Sequence, residues 1–352
     1  VAGIDLGIPQ LSDVALLGSG GYSDVFVAHH QGLGRRVAVK VVPRMDDPER
    51  VATFERECAA MGRLSDHPNV VVPLSAGATA HGHRYILLEL YPDGSCADLV
   101  RIAGPLGPAD LREWVRQVGS ALRTAHERGI VHNDVKPENV LVRRTDQGLQ
   151  FGVTDFGLAH LIGDRTGGAV AAGSLFYVAP ELLDGVVPTT ESDVYGLAAT
   201  ACFMASGAPP IRRRGEEPWI SVVRRIATEP VDPSVLDPIP APFDEVVAAA
   251  LDKQPRSRPT LHQLVAAAAQ IDDRAPARVP SVPPPLRSAP VSAHPSPPAD
   301  EGTTGVAIRG AATDPADPID GSDDGTGFGG WWFAAALLVL FGVSVLVGML
   351  FR

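Results

Sequence analysis

Lysine is almost missing from this chain of 352 residues: it stands only at positions 40, 136 and 253. Arginine supplies nearly all the positive charge, and acids outnumber bases by 41 to 30, for a formal net charge of −11. A nucleic-acid-binding surface needs a basic face, so that class of partner is not expected. Cysteine is equally scarce. Cys58, Cys96 and Cys202 lie far apart, with no C-x-x-C pair and no histidine cluster beside them. That spacing excludes a disulfide framework and a zinc site.

Charge is absent altogether from Trp331 to Phe351. About 20 apolar residues cross a hydrocarbon core of roughly 30 Å. Trp331 and Trp332 stand where aromatic rings favour the membrane interface. A single C-terminal transmembrane helix is expected over residues 329–351. The stretch before it, 273–328, lacks any apolar period. Nine prolines fall between residues 275 and 298, and Asp, Gly and Thr dominate after residue 300. Proline removes the backbone donor that a helix or central strand needs, so this stretch is expected to be a disordered juxtamembrane linker.

Residues 10–272 hold what the tail lacks, apolar residues at regular spacing. Val14–Leu17, Asp24–Ala28 and Arg36–Val42 read as strands, with Gly18-Ser19-Gly20-Gly21 turning the first into the second. Asp47-Pro48 is a helix start, and Val51, Phe54, Cys58 and Met61 recur at helical spacing. Tyr85–Leu90 is a short apolar strand. Ala109–Arg128 carries Leu111, Trp114, Val115, Val118, Leu122 and Ala125 on one helical stripe. Short strands follow at Val140–Val142 and Gln150–Val153, and the remainder to Ile271 reads as helices broken by Pro and Gly. The expected class is α+β: a small β-rich lobe, then a larger helical one.

The chemistry lies in four motifs. Gly18-x-Gly20-x-x-Ser23-x-Val25 sits between two strands, where glycines let a backbone approach phosphates. A strand follows the turn, so the dinucleotide-binding pattern, which needs a helix there, does not apply. Val37-Ala38-Val39-Lys40 ends an apolar strand in an ammonium. A carboxylate on the 48–64 helix can aim it at phosphates; Glu57 is the candidate and Glu55 its competitor. His132-Asn133-Asp134-Val135-Lys136-Pro137-Glu138-Asn139 is the strongest signal. Asp134 can accept a proton from an attacking hydroxyl, Lys136 can neutralise a migrating phosphoryl group, and Asn139 can ligate a metal. Asp155-Phe156-Gly157 supplies a second metal ligand at Asp155. Positioning and charge neutralisation are what phosphoryl transfer requires.

Together these motifs form the protein-kinase signature set, and residues 10–272 resemble the eukaryotic-like (Hanks-type) kinases in their bacterial serine/threonine branch. Ala179-Pro180-Glu181, Ser192-Asp193-Val194-Tyr195-Gly196 and Arg258 match further family motifs. The resemblance implies a bilobal fold with ATP in the cleft and Mg²⁺ (or Mn²⁺) as cofactor. It implies that Gly18, Ser19, Gly20, Gly21 and Ser23 cover the phosphates. Val25, Ala38 and Leu141 would enclose the adenine. Leu88 would be the gatekeeper, with Glu89 to Tyr91 as the hinge. Lys136 marks the serine/threonine form of the loop, and Ser174 matches a hydroxyl that touches the catalytic Asp and Lys. The implied partners are proteins with Ser/Thr acceptors and, through the C-terminal helix, the cell membrane, with the kinase domain cytoplasmic. A homodimer also fits. Two departures stand out. Ser23 replaces a third glycine, and Asn133 replaces the arginine that receives a loop phosphate. Asparagine cannot make that charge-assisted pair, and residues 157–173 hold one hydroxyl, Thr166. Control by loop phosphorylation is therefore not expected.

Overall fold

A computed structural model describes residues 4–19, 23–45, 47–156 and 174–272. The linker, the expected membrane helix and residues 157–173 with Thr166 lie outside the described residues. Among the described residues no helix is long and apolar enough to cross a membrane.

The first lobe is a five-stranded antiparallel sheet in the order β1-β2-β3-β5-β4. Its strands are β1 (Leu11–Ser19), β2 (Asp24–His30), β3 (Arg35–Val42), β4 (Pro73–Ala78) and β5 (Arg84–Glu89). Helix α1 (Pro48–Gly62) packs against it. Side chains alternate across a strand, and β3 uses both faces. Val37 and Val39 join Phe26, Ala28 and Leu87 in a small outer core. Ala38 and Val42 turn inward with Ile86 and Leu88 to the large core. Lys40 lies on that inner face by the same alternation.

The second lobe opens with α2 (Cys96–Ala103), α3 (Pro108–Glu127) and the hairpin β6 (Val140–Thr145) with β7 (Gly148–Val153). It continues with α4 (Pro180–Leu183), α5 (Thr190–Ser206), α6 (Trp219–Thr228), α7 (Phe243–Ala250) and α8 (Leu261–Ala268). Trp114, Val115, Val118, Leu122 and Ala125 of α3 are all fully buried, as the apolar stripe requires. Gly119 is where α8 crosses α3: a Cβ there would collide with Val265 Cγ2. The lobe closes at Ile271, which is 2% exposed and whose carbonyl accepts from Arg112 Nη1 at 3.1 Å.

The elements expected within residues 10–272 are present, each within a few residues. Strand β4 was not expected. Pro-Leu-Ser-Ala-Gly-Ala has little strand propensity. It forms because it is an edge strand whose partner β5 is strongly apolar, and proline is tolerated at a strand's first residue.

One half-buried cation carries a cost. Lys253 faces the Tyr195 ring at 5.9 Å, and its Nζ has no hydrogen-bond partner among the described residues. Burial, then the nearby Arg258, pushes its pKa from the usual 10.5 down to about 8. The unfolded chain therefore binds more protons between pH 8 and 10.5, so this lysine penalises the fold below pH 8 and the penalty fades as pH rises to 10.5. Each pKa unit is worth about 1.4 kcal/mol; with part of the side chain exposed and screened, a net ~1–2 kcal/mol is expected. Lys253→Met should raise the melting temperature at pH 7 by about 2–6 °C, with a smaller gain at pH 10. A lower melting temperature at pH 7 would contradict this.

Candidate active site

Three segments converge: the end of β3, the loop joining α3 to β6, and the end of β7. Lys40 pairs with Val25 on one side and Ile86 on the other. Its ammonium lies 2.7 Å from Asp155 Oδ2. Burial alone would raise the Asp155 carboxyl, but its neighbours, the Lys40 ammonium foremost, together hold it below the usual carboxylate range.

The loop before β6 is fixed from beneath by Asp193 of α5, whose side chain is fully buried. Asp193 Oδ2 accepts the His132 N–H at 2.8 Å and Oδ1 accepts the Asn133 N–H at 2.7 Å. His126 Nε2 lies 2.7 Å from Oδ2. His132 is locked as well. Its Nε2 donates to the Thr154 carbonyl at 2.9 Å and its Nδ1 accepts the Asp134 N–H at 3.2 Å. A carbonyl can only accept and an amide can only donate, so His132 is the neutral tautomer with its proton on Nε2. Asn133 and Asp155 have φ of 69° and 64°. This is the left-handed region, which Asn and Asp tolerate better than most residues. Asparagine at 133 thus suits the backbone as well as removing a charge.

So held, Asp134 presents its carboxylate to the cleft. Oδ2 accepts from Lys136 Nζ at 2.6 Å and from Asn139 Nδ2 at 2.8 Å. Lys136 Nζ also reaches Ser174 Oγ at 2.7 Å, which ties residues 174–177 to the loop. Asp134 Oδ1 has no hydrogen-bond partner among the described residues. Asn139 spends both amide protons on Asp134, on Oδ2 and on the carbonyl at 2.8 Å, so its Oδ1 is left as an acceptor. The Thr154 N–H donates to the Asn139 carbonyl at 3.0 Å, setting Asn139 beside the strand end that carries Asp155. Two oxygen donors of this kind suit a hard divalent cation.

Ala38 and Leu88 pair across β3 and β5, and both belong to the large core, against which Val25 and Leu141 pack. Gly18 pairs with Val25 and Ser19 with Asp24, and Ser19 Oγ donates to Asp24 Oδ1 at 2.6 Å. Ser23 immediately precedes β2; Gly20 and Gly21 lie outside the described residues. Glu57 stands on α1, with its side chain likewise outside. Its competitor Glu55 is engaged elsewhere, with Arg84 at 3.5 Å.

The hinge brings in residues that spacing did not single out. Glu89 pairs with Arg143 at 3.0 Å, and that guanidinium lies 4.2 Å from the Tyr91 ring centroid. The same ring covers Gly152, where a Cβ would be 2.5 Å from Tyr91 Cζ. Asn69 was also missed. It donates to Gln117 Oε1 at 2.6 Å and to the Phe151 carbonyl at 2.9 Å, steadying β7 behind Asp155. His126, Arg143 and Asn69 act across 48 to 82 residues of sequence, and no local pattern marks them.

Comparison with known proteins agrees with this geometry. A protein kinase domain family model matches residues 11–268. The serine/threonine-protein kinase PknK of Mycobacterium tuberculosis is 37% identical over 251 residues, covering 70% of this chain and 22% of PknK. PknD of the same species is 35% identical over 255 residues, covering 69% of this chain and 36% of PknD. Among solved structures, the Mycobacterium tuberculosis PknI kinase domain is 25% identical with a TM-score of 0.58, covering 76% of this chain and all of that domain. Rad53 residues 1–466 in complex with AMP-PNP is similar in fold, with a TM-score of 0.61 at 23% identity over 73% of this chain and 64% of that one.

Proposed function

The chain belongs to the protein kinase domain family, in its bacterial serine/threonine branch, and from that premise we propose that it transfers the γ-phosphoryl group of ATP to serine or threonine hydroxyls of proteins. The observation that carries the reading is Asp134: one carboxylate oxygen is held by Lys136 and Asn139, and the other remains to receive a hydroxyl proton. In the proposed step the acceptor oxygen bonds to the γ-phosphorus. The bond from that phosphorus to the bridging oxygen breaks, ADP leaves, and the hydroxyl proton passes to Asp134 Oδ1. Lys136 neutralises charge on the moving group, and Lys40 holds the phosphates of ATP, with Glu57 as its proposed partner on α1. Val25, Ala38 and Leu141 enclose the adenine, with Leu88 as the gatekeeper and Glu89 to Tyr91 as the hinge. Asn139 Oδ1 and Asp155 would hold Mg²⁺, which supplies charge neutralisation at the phosphates.

All the catalytic positions are filled, which favours an enzyme over an ATP-binding scaffold. Lys136 on Ser174 and Arg258 on Glu181 build a segment suited to a polypeptide, which favours a protein over a small-molecule acceptor. Purified chain with ATP and Mg²⁺ should place phosphate on serine or threonine of a generic protein acceptor. Asp134→Asn should lose at least a hundredfold in rate. Phosphotyrosine as the main product, or full activity in Asp134→Asn, would overturn the reading.

The uncharged run of residues 329–351 supports anchoring in the cell membrane, with the kinase domain on the ATP-containing side. A form shortened before residue 329 should leave the membrane fraction and remain in the supernatant with its activity retained. Persistence in the membrane pellet without aggregation would show that the anchor lies elsewhere.

A further inference from the structure

The described surface carries one cluster of positive charge that the catalytic site does not use. Between residues 211 and 225 the sequence places five arginines against two glutamates, in a chain of net charge −11. Part of this charge is structural. Arg225 is buried and pairs with Glu217, and Arg213 lies 5.1 Å from the Trp219 ring centroid while bonding the Glu217 carbonyl at 2.9 Å. Arg212 and Arg224 are different. Both are exposed, and neither guanidinium makes a hydrogen bond or ion pair among the described residues; Arg224 takes part only through its carbonyl, which accepts from Thr228 Oγ1 at 2.9 Å.

Large apolar side chains stand beside them. Helix α6 buries Val222 and Ile226, yet its first residues leave Trp219 40% and Ile220 57% exposed. Ile220 and Arg224 are four residues apart on the helix, so they share a face. The patch is continuous with the active site. The Phe176 and Trp219 rings are 6.1 Å apart, and Phe176 belongs to the 174–177 turn whose Ser174 receives Lys136. Exposed apolar surface rimmed by charge marks interaction sites, and aromatic residues and arginine are enriched where binding energy concentrates.

We propose that this face docks the protein substrate itself, through an acidic stretch with a large apolar residue that lies apart from the acceptor hydroxyl. The apolar residue covers Ile220 and the Trp219 ring. The acids pair with Arg212 and Arg224. The inference deepens the kinase reading, because it names the substrate class of the same site. Rim charges act on encounter rate and partner choice more than on raw affinity, so selectivity is the quantity to read.

The test uses the full chain in detergent and two labelled peptides without serine or threonine. One has a leucine or phenylalanine among aspartates and glutamates; the other has lysine at every acidic position. Binding is followed by fluorescence anisotropy and needs no catalysis. The acidic peptide should bind at least tenfold tighter. In Arg212→Glu/Arg224→Glu the preference should invert, and Ile220→Ser should weaken the acidic peptide severalfold. These three side chains are exposed, so the fold should tolerate the changes. Equal binding of the two peptides, or the wild-type preference persisting in the charge-reversed form, would overturn the proposal. A second arm joins the acidic stretch to a serine peptide, which should lower KM about tenfold; an unchanged KM also counts against docking. Binding selectivity without phosphate transfer to any acceptor would sink the kinase reading and leave the docking face standing.

Discussion

Lys40→Met is expected to cut phosphoryl transfer at least a thousandfold while leaving the domain folded. Three powers of ten correspond to about 4 kcal/mol of transition-state stabilisation, within reach of a cation aimed at phosphates in a sheltered cleft. Methionine keeps the length of the side chain along the inner face of β3, so Val25 and Ile86 keep their neighbour. What changes is Asp155. Without the ammonium at 2.7 Å, the main opposition to burial is lost, and its carboxyl rises from its lowered position. The variant should therefore hold a divalent cation less well at mildly acid pH, a second measurable effect. Initial rates on a generic acceptor, with circular dichroism as the control for folding, make the comparison. Near-normal turnover in folded Lys40→Met protein would remove the proposed nucleotide site. Lys40→Arg should also be poor, because a planar fork cannot replace a point charge on the same stem.

The second large effect is on stability. Arg258 has no exposed side-chain surface and grips Glu181, itself 10% exposed, through two bonds of 2.7 Å. It also donates to the carbonyls of Glu191 and Asp252, both at 2.9 Å. Arg258→Met strands a buried carboxylate and two carbonyls, and loss of one partner of such a pair costs about 3–5 kcal/mol. Glu181→Met/Arg258→Met should recover part of that loss, since no unpaired charge remains, but not all of it, since the carbonyls still lack a donor. Urea denaturation of the four forms closes the cycle. A double variant no more stable than Arg258→Met would mean that the carbonyl bonds, rather than the ion pair, carry the cost. Glu181 lies in the first turn of α4, just beyond the 174–177 turn, so the single variant should also weaken activity by loosening the polypeptide-facing segment.

These residues show what a sequence can and cannot disclose. Lys40, Asp134, Lys136, Asn139 and Asp155 were legible because the chemistry demands those residue types at fixed short spacings, and the structure brings them to one cleft. Helix α3 was legible because its burial is one-sided. Helix α5 was harder: it is buried almost all round, so no stripe marks it. Strand β4 was invisible because its pairing is decided by β5 and not by its own side chains. Asp193 was noticed as a motif residue, but its role as the clamp under His132 and Asn133 depends on a contact 60 residues away in sequence. Its partner His126 carries no mark at all. Long-range hydrogen bonds of this kind are set by topology, and only coordinates reveal them.

The carbonyl of Ile271, held by Arg112, fixes where the catalytic unit can be cut. Helix α8 ends at Ala268, and a fragment trimmed there would keep every catalytic residue on paper. It would also strip a fully covered side chain from beneath α3, the helix that carries His126 and leads into the catalytic loop. The last three residues behave as a latch on that helix, and a usable fragment has to include them.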